Sequence, residues 1–173
     1  MDLDATATVL LRGAPLACPR DGGTLRADGQ TLHCAACGAA YPVVGGVPVL
    51  INDDESVFAI ADYLGDQSYT GASYGRDADQ SRGLRRLYHG FIRWLGDAPS
   101  SIRTPDSNEV IAYVAALRPR PRVLVIGSGG LRLGQPEDRV LNTDVAFGPG
   151  VDAIADANHL PFADASFDLV VAG

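Results

Sequence analysis

Four residues in the first third of the chain have the types and the spacing of a metal site. Cys18 and Asp21 lie three positions apart, and Cys34 and Cys37 repeat that spacing further along. Two residues between ligands let a tight turn, here called a knuckle, direct both side chains at one point. Thiolates bind zinc and so does a carboxylate oxygen, so the spacing predicts a zinc site made of these four residues.

Two alternatives to this ligand set remain open at the level of sequence. His33 is another possible fourth ligand, although it would project from a strand directly beside Cys34. The segment that contains these residues could also hold no metal and pack its thiols as small apolar groups. Metal is the favoured reading, because a segment with so small an apolar core needs a cross-link to fold. Three cysteines are an odd number, which argues against a framework of disulfides alone.

A second set of residues resembles a nucleotide site. The apolar run Val123–Ile126 leads into Gly127–Gly130, here called the glycine corner, where a backbone without side chains can approach a ligand closely. A dinucleotide fingerprint would need glycine at Arg132. Asp144 ends the next apolar run, where an acid can accept hydrogen bonds from ribose hydroxyls. The other interpretation is that Asp144 and Asp156 are ordinary turn residues at strand ends.

The elements that must position the metal ligands are short strands. We predict a hairpin of Thr24–Arg26 and Thr31–His33 around a turn at 27–29, because Asp-Gly tolerates positive φ. Two further strands follow within 39–51, separated by Gly45-Gly46. These elements define a β-rich ribbon domain over residues 1–52.

The rest of the chain predicts helices and then a parallel sheet. Residues 53–104 form a helical linker, with a short helix at 53–66 and an amphipathic one at 81–96. The arginines of the second helix are expected to face solvent, and contact with an anionic substrate or partner is the alternative. Residues 105–173 begin with a helix capped by Thr104, with Pro105 in its first position. Four apolar runs follow, as in a parallel sheet covered on both faces: VLVI, RVLNTDV, VDAIAD and FDLVVAG. The fold class is therefore α/β, a partial Rossmann-like doubly wound sheet preceded by the ribbon.

The segment from Leu16 to Ile51 resembles a known family. Its Cys-Pro knuckle, hairpin, Cys-x-x-Cys-Gly knuckle, Tyr-Pro-Val and Gly-Val-Pro are typical of the short zinc ribbons that serve as methyltransferase activator subunits. In that family the ribbon occurs alone or fused to a methyltransferase. The resemblance implies a structural, partner-binding element without catalytic groups.

Residues 151–173 resemble the class I S-adenosylmethionine-dependent methyltransferases. Asp-Ala, Leu-Pro-Phe, an acidic turn and Ser-Phe-Asp stand here in the order and spacing of that family, although Val125 and Leu131 depart from its pattern. The resemblance implies that the glycine corner lines the methionine side of the cofactor. It implies further that Asp144 holds the ribose and that Asp156 and the Ala157 N–H meet the adenine. The implied cofactor-binding set is Gly127, Ser128, Gly129, Gly130, Asp144, Val145, Asp156 and Ala157.

The main functional hypothesis is an S-adenosylmethionine-dependent methyltransferase with a zinc ribbon, acting on a small-molecule, lipid or glycan acceptor. No catalytic residue is identified, because methyl transfer needs positioning more than acid–base groups. His89 and His159 have no partner in the sequence pattern. The alternatives are a non-catalytic ribbon module that partners a separate methyltransferase, and a nucleotide-binding protein of another kind.

Net charge and apolar content limit the classes of partner and the location that we expect. The net charge of −7 over 173 residues makes nucleic acid an unlikely ligand. There is no signal peptide and no apolar run that could span a membrane, so we expect a cytoplasmic protein. The chain resembles the front part of a longer enzyme, and its last strand would expose an apolar sheet edge. We expect a partner protein, a second copy, or further residues of a longer chain to cover that edge.

Overall fold

The computed structural model describes residues 14–65, 106–129, 132–134 and 139–172. Within them, eight strands form one sheet in the order β1-β2-β3-β4-β7-β6-β5-β8. There is one α-helix in these residues, α1 at Ser107–Leu117, and one short 3-10 helix at Ile60–Tyr63. The strands are β1 Leu25–Asp28, β2 Thr31–Cys34, β3 Ala40–Val44, β4 Val47–Leu50, β5 Arg122–Ile126, β6 Arg139–Asp144, β7 Ala153–Ala155 and β8 Leu169–Ala172.

The two hairpins of the ribbon, which comprises β1–β4, confirm the sequence prediction and correct one turn. Asp28 pairs with Thr31, so the first turn consists of Gly29 and Gln30 and lies later than predicted. Gly29 has a φ of +59°, and Asp28 remains in the strand because the glycine alone supplies the left-handed position. The second hairpin turns at Gly45-Gly46, where both φ angles are positive, as a type I′ turn requires.

The four predicted apolar runs each contain a strand of a parallel sheet. β5 pairs with β6 on one side and with β8 on the other, and β6 pairs with β7. β4 of the ribbon then adds to the free side of β7 in parallel, with Val49 opposite Ile154 and Leu50 opposite Ala155. The ribbon and the α/β region therefore share one continuous sheet.

The start of α1 differs from the prediction. The N-cap is Asp106, not Thr104, and the helix begins at Ser107. The Asp106 carboxylate accepts a hydrogen bond from the Asn108 N–H, and the Glu109 carboxylate accepts one from the Asp106 N–H. This capping box satisfies two N–H groups of the first turn, which explains why the helix starts here. Thr104 and Pro105 lie outside the described residues, as does the predicted helix at 81–96.

Side chains of alternate residues cover the two faces of the sheet. On one face, Ile111 of α1 packs against Val123, Val125 and Val140. On the other face, Leu124 and Leu141 belong to the same core as the ribbon side chains Cys18, Leu32, Cys34 and Tyr41. The strands of the parallel sheet are apolar on both faces because both faces are covered. The second core places the cysteines beside the centre of the sheet.

The segment after β4 predicted as a short helix contains the 3-10 helix instead. Tyr63 at its end is fully buried and packs edge-to-face against Phe147, with ring centroids 5.9 Å apart. β8 lies at one edge of the sheet in the described part of the chain, and its Val170 is 53 % exposed. The predicted partner for that edge remains a prediction.

Candidate metal centre and the glycine corner

The two knuckles are built alike. Gly22 and Gly38 each follow the first cysteine of a knuckle by four residues, and both have a φ of +74°. In each knuckle the glycine N–H donates a hydrogen bond to the carbonyl of that cysteine, Cys18 in the first and Cys34 in the second. A left-handed residue at this place closes the turn, and glycine adopts it without steric cost. This glycine is a signal in the sequence that the ligand spacing alone did not use.

The knuckles bring the four predicted ligands together. One ligand atom from each of Cys18, Asp21, Cys34 and Cys37 lies within 4.8 Å of the others. The Cys18 and Cys37 sulfurs are 3.7 Å apart, and the Cys34 sulfur is 3.3 Å from Asp21 Oδ1. Tetrahedral zinc with ordinary bond lengths separates two thiolates by about 3.8 Å and a thiolate from a carboxylate oxygen by about 3.6 Å. The donor set and these two distances are close to those of a zinc site, and a bound ion would draw in the atoms that lie up to 4.8 Å apart.

His33 is not part of this cluster. It lies on β2 between Leu32 and Cys34, and it is exposed whereas both neighbours are buried. Successive side chains of a strand point to opposite faces, so a ligand at Cys34 excludes a ligand at His33. Among the described residues, Asp21 is the fourth group of the site.

The charges of the site are set mainly by backbone N–H groups. The Gly23 N–H, which donates to Asp21 Oδ1 at 2.8 Å, lowers the pKa of Asp21 to about 2. The Cys37 N–H lowers the pKa of Cys34. The Ala39 N–H lowers the pKa of Cys37, but desolvation and two neighbouring thiols outweigh it and raise that pKa to about 11. A divalent ion must therefore displace the Cys37 proton when it binds.

The site is buried on one side and open on the other. Cys18 and Cys34 are buried, whereas Asp21 and Cys37 are exposed. On the buried side the Tyr41 hydroxyl lies 3.1 Å from the Cys18 sulfur. Burial, and then the Cys18 thiol, raises the pKa of Tyr41 above its usual range, so the phenol keeps its proton. The sequence analysis named this tyrosine only as part of the Tyr-Pro-Val motif and missed its contact with the metal site, because nothing in its spacing relates Tyr41 to Cys18.

The glycine corner adopts the backbone that its sequence predicted. Gly127 and Gly129 have φ angles of +69° and +64°. The Gly129 N–H donates to Asp144 Oδ2 at 2.7 Å, and the Ala146 N–H donates to Asp144 Oδ1 at 3.0 Å. Ser128 Oγ is buried and has no hydrogen-bond partner among the described residues. Gly130 and Leu131 lie outside those residues.

Asp156, which directly follows β7, is buried and receives its hydrogen bonds from the chain itself. The Ser56 hydroxyl donates to Asp156 Oδ2 at 2.5 Å, and the Asn158 N–H and side-chain amide both donate to Oδ1 at 2.9 Å. Burial alone would raise the pKa of Asp156, but these donors together lower it. Both Asp156 oxygens thus have partners within the chain, and the predicted role of Asp156 at the adenine stays a prediction.

The segment after β4 also reaches the end of β6. The Tyr63 hydroxyl donates to the Val145 carbonyl at 2.7 Å. His159 Nε2 lies 3.4 Å from a carboxylate oxygen of Glu55, which gives an ion pair when the imidazole is protonated. Ala157 is exposed, and His89 lies outside the described residues. Sequence reasoning found Asp156 and Val145 but could not find Ser56 and Tyr63, which are distant in the chain.

The described residues contain a small region like a zinc ribbon, β1–β4, and its last strand pairs with an α/β sheet. The family model described as Trm112p-like protein matches residues 16–46. The match contains all four ligands of the cluster and ends before β4. The comparison with curated proteins gives no match. In the described part of the chain, no helix has the length and apolar character needed to cross a membrane.

Proposed function

We propose that this chain is a non-catalytic zinc-ribbon module that binds and activates a separate methyltransferase. One observation carries the proposal: the Trm112p-like match at 16–46 encloses a cluster of three thiols and one carboxylate with the dimensions of a zinc site. The ribbons that this stretch resembles act as activator subunits of methyltransferases. The function of the metal is then to hold the partner-binding surface in shape.

The zinc ion would be held by Cys18, Asp21, Cys34 and Cys37. It supplies a cross-link between the two knuckles and no chemistry. Structural zinc contributes about 10–16 kcal/mol of apparent binding free energy in small domains of this kind. That contribution is large enough to order a ribbon whose own core is small.

The sheet suggests how the ribbon stabilises a methyltransferase fold. β4 adds to β7 in parallel, so the ribbon extends an α/β sheet by main-chain hydrogen bonds. The edge of β8, where Val170 is exposed, offers a second place for strand addition. We propose that the partner protein, or a second copy of the chain, covers this edge. Light scattering of the purified chain tests the second copy, since a strict monomer contradicts it.

A second candidate, favoured by a separate observation, is an S-adenosylmethionine-dependent methyltransferase. When only β5–β8 are numbered 1 to 4 along the chain, the order β7-β6-β5-β8 is the order 3-2-1-4 of Rossmann-like sheets. Each Asp144 oxygen accepts one hydrogen bond and keeps a free lone pair, and Ser128 Oγ is without a partner in the described structure. These groups fit a cofactor whose sulfonium methyl would be transferred to a small-molecule, lipid or glycan acceptor.

One titration separates the two candidates. S-adenosylhomocysteine is titrated calorimetrically into the full chain, with NAD as the control nucleotide. The activator proposal expects no binding heat from either compound. Saturable binding of S-adenosylhomocysteine alone would support the second candidate and contradict the first.

A reconstitution tests the activator role directly. The immobilised chain and its Cys34→Ser variant are used to capture proteins, which are identified by mass spectrometry. The proposal expects a methyltransferase on the wild-type chain only, and expects added chain to raise that enzyme's transfer of labelled methyl groups. Absence of both results refutes it.

A further inference from the structure

We propose that Tyr41 is a positioning residue of the metal site, whose hydroxyl donates a hydrogen bond to the thiolate of Cys18. The inference deepens the proposed zinc ribbon and rests on that metal site. It gives a role at the metal site to a residue that lies within the family match at 16–46 but has no role from the match or from the ligand spacing. The function of the hydrogen bond is to anchor one ligand on the buried side of an otherwise half-open site.

The geometry of the contact supports this assignment. The Tyr41 oxygen and the Cys18 sulfur are 3.1 Å apart and both groups are buried. The metal-bound form of a cysteine is the thiolate, which has no proton to donate. The phenol must therefore be the donor once a metal ion is bound. Within the described residues, Cys18 is the partner found for this hydroxyl.

The position of Tyr41 follows from the ribbon. It lies on β3 opposite Leu32 of β2, and Leu32 and Cys34 are buried side chains on the same face of β2. Tyr41 is only 2 % exposed, so its ring is fixed by packing in the core. A fixed ring holds its hydroxyl at one place, and the hydroxyl in turn holds the Cys18 sulfur.

The four ligands are not held alike. Asp21 and Cys37 face solvent, whereas Cys18 and Cys34 are buried. On the buried side, Cys18 accepts from Tyr41, and Cys34 accepts from the Ala36 N–H at 3.4 Å. Hydrogen bonds to a thiolate draw charge from sulfur and fix its orientation, which is how outer groups tune a metal site.

The test replaces one hydroxyl and keeps the ring. Tyr41→Phe and the full-length wild type are loaded with Co²⁺, and the thiolate-to-cobalt charge-transfer bands are recorded. Without the hydrogen bond the sulfur lone pair lies higher in energy, so the bands are expected to move to longer wavelength. Zinc competition with a chromophoric chelator is expected to show a loss of affinity of about tenfold, the low end of second-shell effects.

Tyr63→Phe is the matched control. It also removes the hydroxyl of a fully buried tyrosine, but that hydroxyl bonds to the Val145 carbonyl. We expect it to leave the cobalt bands and the zinc affinity unchanged. If Tyr41→Phe fails to fold, site-specific replacement Tyr41→3-fluorotyrosine keeps the shape and strengthens the donor, and the bands should then move to shorter wavelength.

The outcomes distinguish a failure of the metal site from a failure of the role of Tyr41. Wild type that binds neither Co²⁺ nor Zn²⁺ overturns the metal site and the role of Tyr41 together. Wild type that binds metal, with bands unmoved in the Tyr41 variants, overturns the role of Tyr41 and leaves the metal site standing. Weaker zinc binding of Tyr41→Phe with unmoved bands means that the hydroxyl acts on the packing of the core and not on the Cys18 sulfur, and this also overturns the proposal.

Discussion

The ribbon and the glycine corner both place acids or thiols beside glycines of positive φ, but they use them differently. In the ribbon, one atom from each of four side chains converges within 4.8 Å, and thiols and carboxylate meet one another. At the ends of β6 and β7, Asp144 and Asp156 instead accept hydrogen bonds from nearby N–H and O–H groups of the chain. Convergence of ligand atoms points to an ion, whereas Asp156 has three hydrogen-bond donors within the chain and is satisfied without a ligand.

This difference explains why the structure supports the metal-site prediction but leaves the cofactor-site prediction a prediction. The metal prediction depended on spacing within two knuckles, and the structure brings its four residues together. The cofactor prediction depended on acids at strand ends. One of these acids, Asp156, accepts a hydrogen bond from the Ser56 hydroxyl. The resemblance to a methyltransferase remains a hypothesis, while the resemblance to the ribbon family is matched at residues 16–46.

The largest effect is expected from removing a buried thiolate. Cys34→Ser deletes a ligand that also lies in the main core, so we expect loss of stoichiometric zinc and collapse of the ribbon. The scale is set by the roughly 10–16 kcal/mol that structural zinc contributes. Metal analysis of the purified protein and thermal melting measure both effects. Ala35→Ser, an exposed change in the same knuckle, should retain zinc, and a Cys34→Ser protein that keeps full zinc content would refute the site.

Asp21→Asn tests the unusual fourth ligand. The amide has the shape of the carboxylate but no charge, so we expect zinc affinity to fall by more than the roughly 10–100-fold of second-shell changes. Asp28→Asn, at another exposed position of the ribbon, is the control and should bind zinc as wild type does. Equal affinities of the two variants in chelator competition would show that three thiolates suffice.

Ser56→Ala tests whether Asp156 has a structural role. The hydrogen bond goes to a charged group, so we expect a loss of about 1.5–3 kcal/mol in the free energy of unfolding at neutral pH. Folding lowers the pKa of Asp156 below 3.8, so the carboxylate's contribution is present above pH 3.8 and is lost as the pH falls further. The difference between variant and wild type should shrink in acid.

Ser128→Ala is the matched control for that experiment. Its hydroxyl is buried without a partner in the described structure, so its removal should leave stability unchanged or raise it slightly. Denaturant unfolding at several pH values measures both variants. Equal losses in the two serine variants would mean that the two hydroxyls do not differ as the contacts indicate.

The smallest effects should come from the glycines. An added Cβ at Gly38 or Gly129 meets no atom within 4 Å, so the cost in both is backbone strain from positive φ. That strain is about 1–2 kcal/mol for a left-handed alanine. Gly38→Ala should weaken zinc binding as well as stability, whereas Gly129→Ala should lower stability alone. Zinc lost equally from both variants would show that the two regions are coupled and would break the comparison.

Local patterns in the sequence determined much of this protein. The knuckles, both hairpins and the four apolar strands were predicted because each depends on residues a few positions apart. The errors lay at boundaries: Gly29 moved the first turn, and the Asp106–Glu109 capping box moved the start of α1. At both boundaries, a residue close to the predicted one satisfies the backbone better than the predicted residue would.

Only the tertiary structure decided which distant groups meet. β4 joins β7, Ser56 reaches Asp156, and the Tyr41 hydroxyl lies on the Cys18 sulfur. None of these pairs has a characteristic spacing, because each results from strand register and from how the ribbon packs on the sheet. The sequence by itself determined which side chains could bind a metal ion. Packing decided which of them are anchored and which strand-end acids the chain itself satisfies, because buried polar groups must find partners wherever the fold places them.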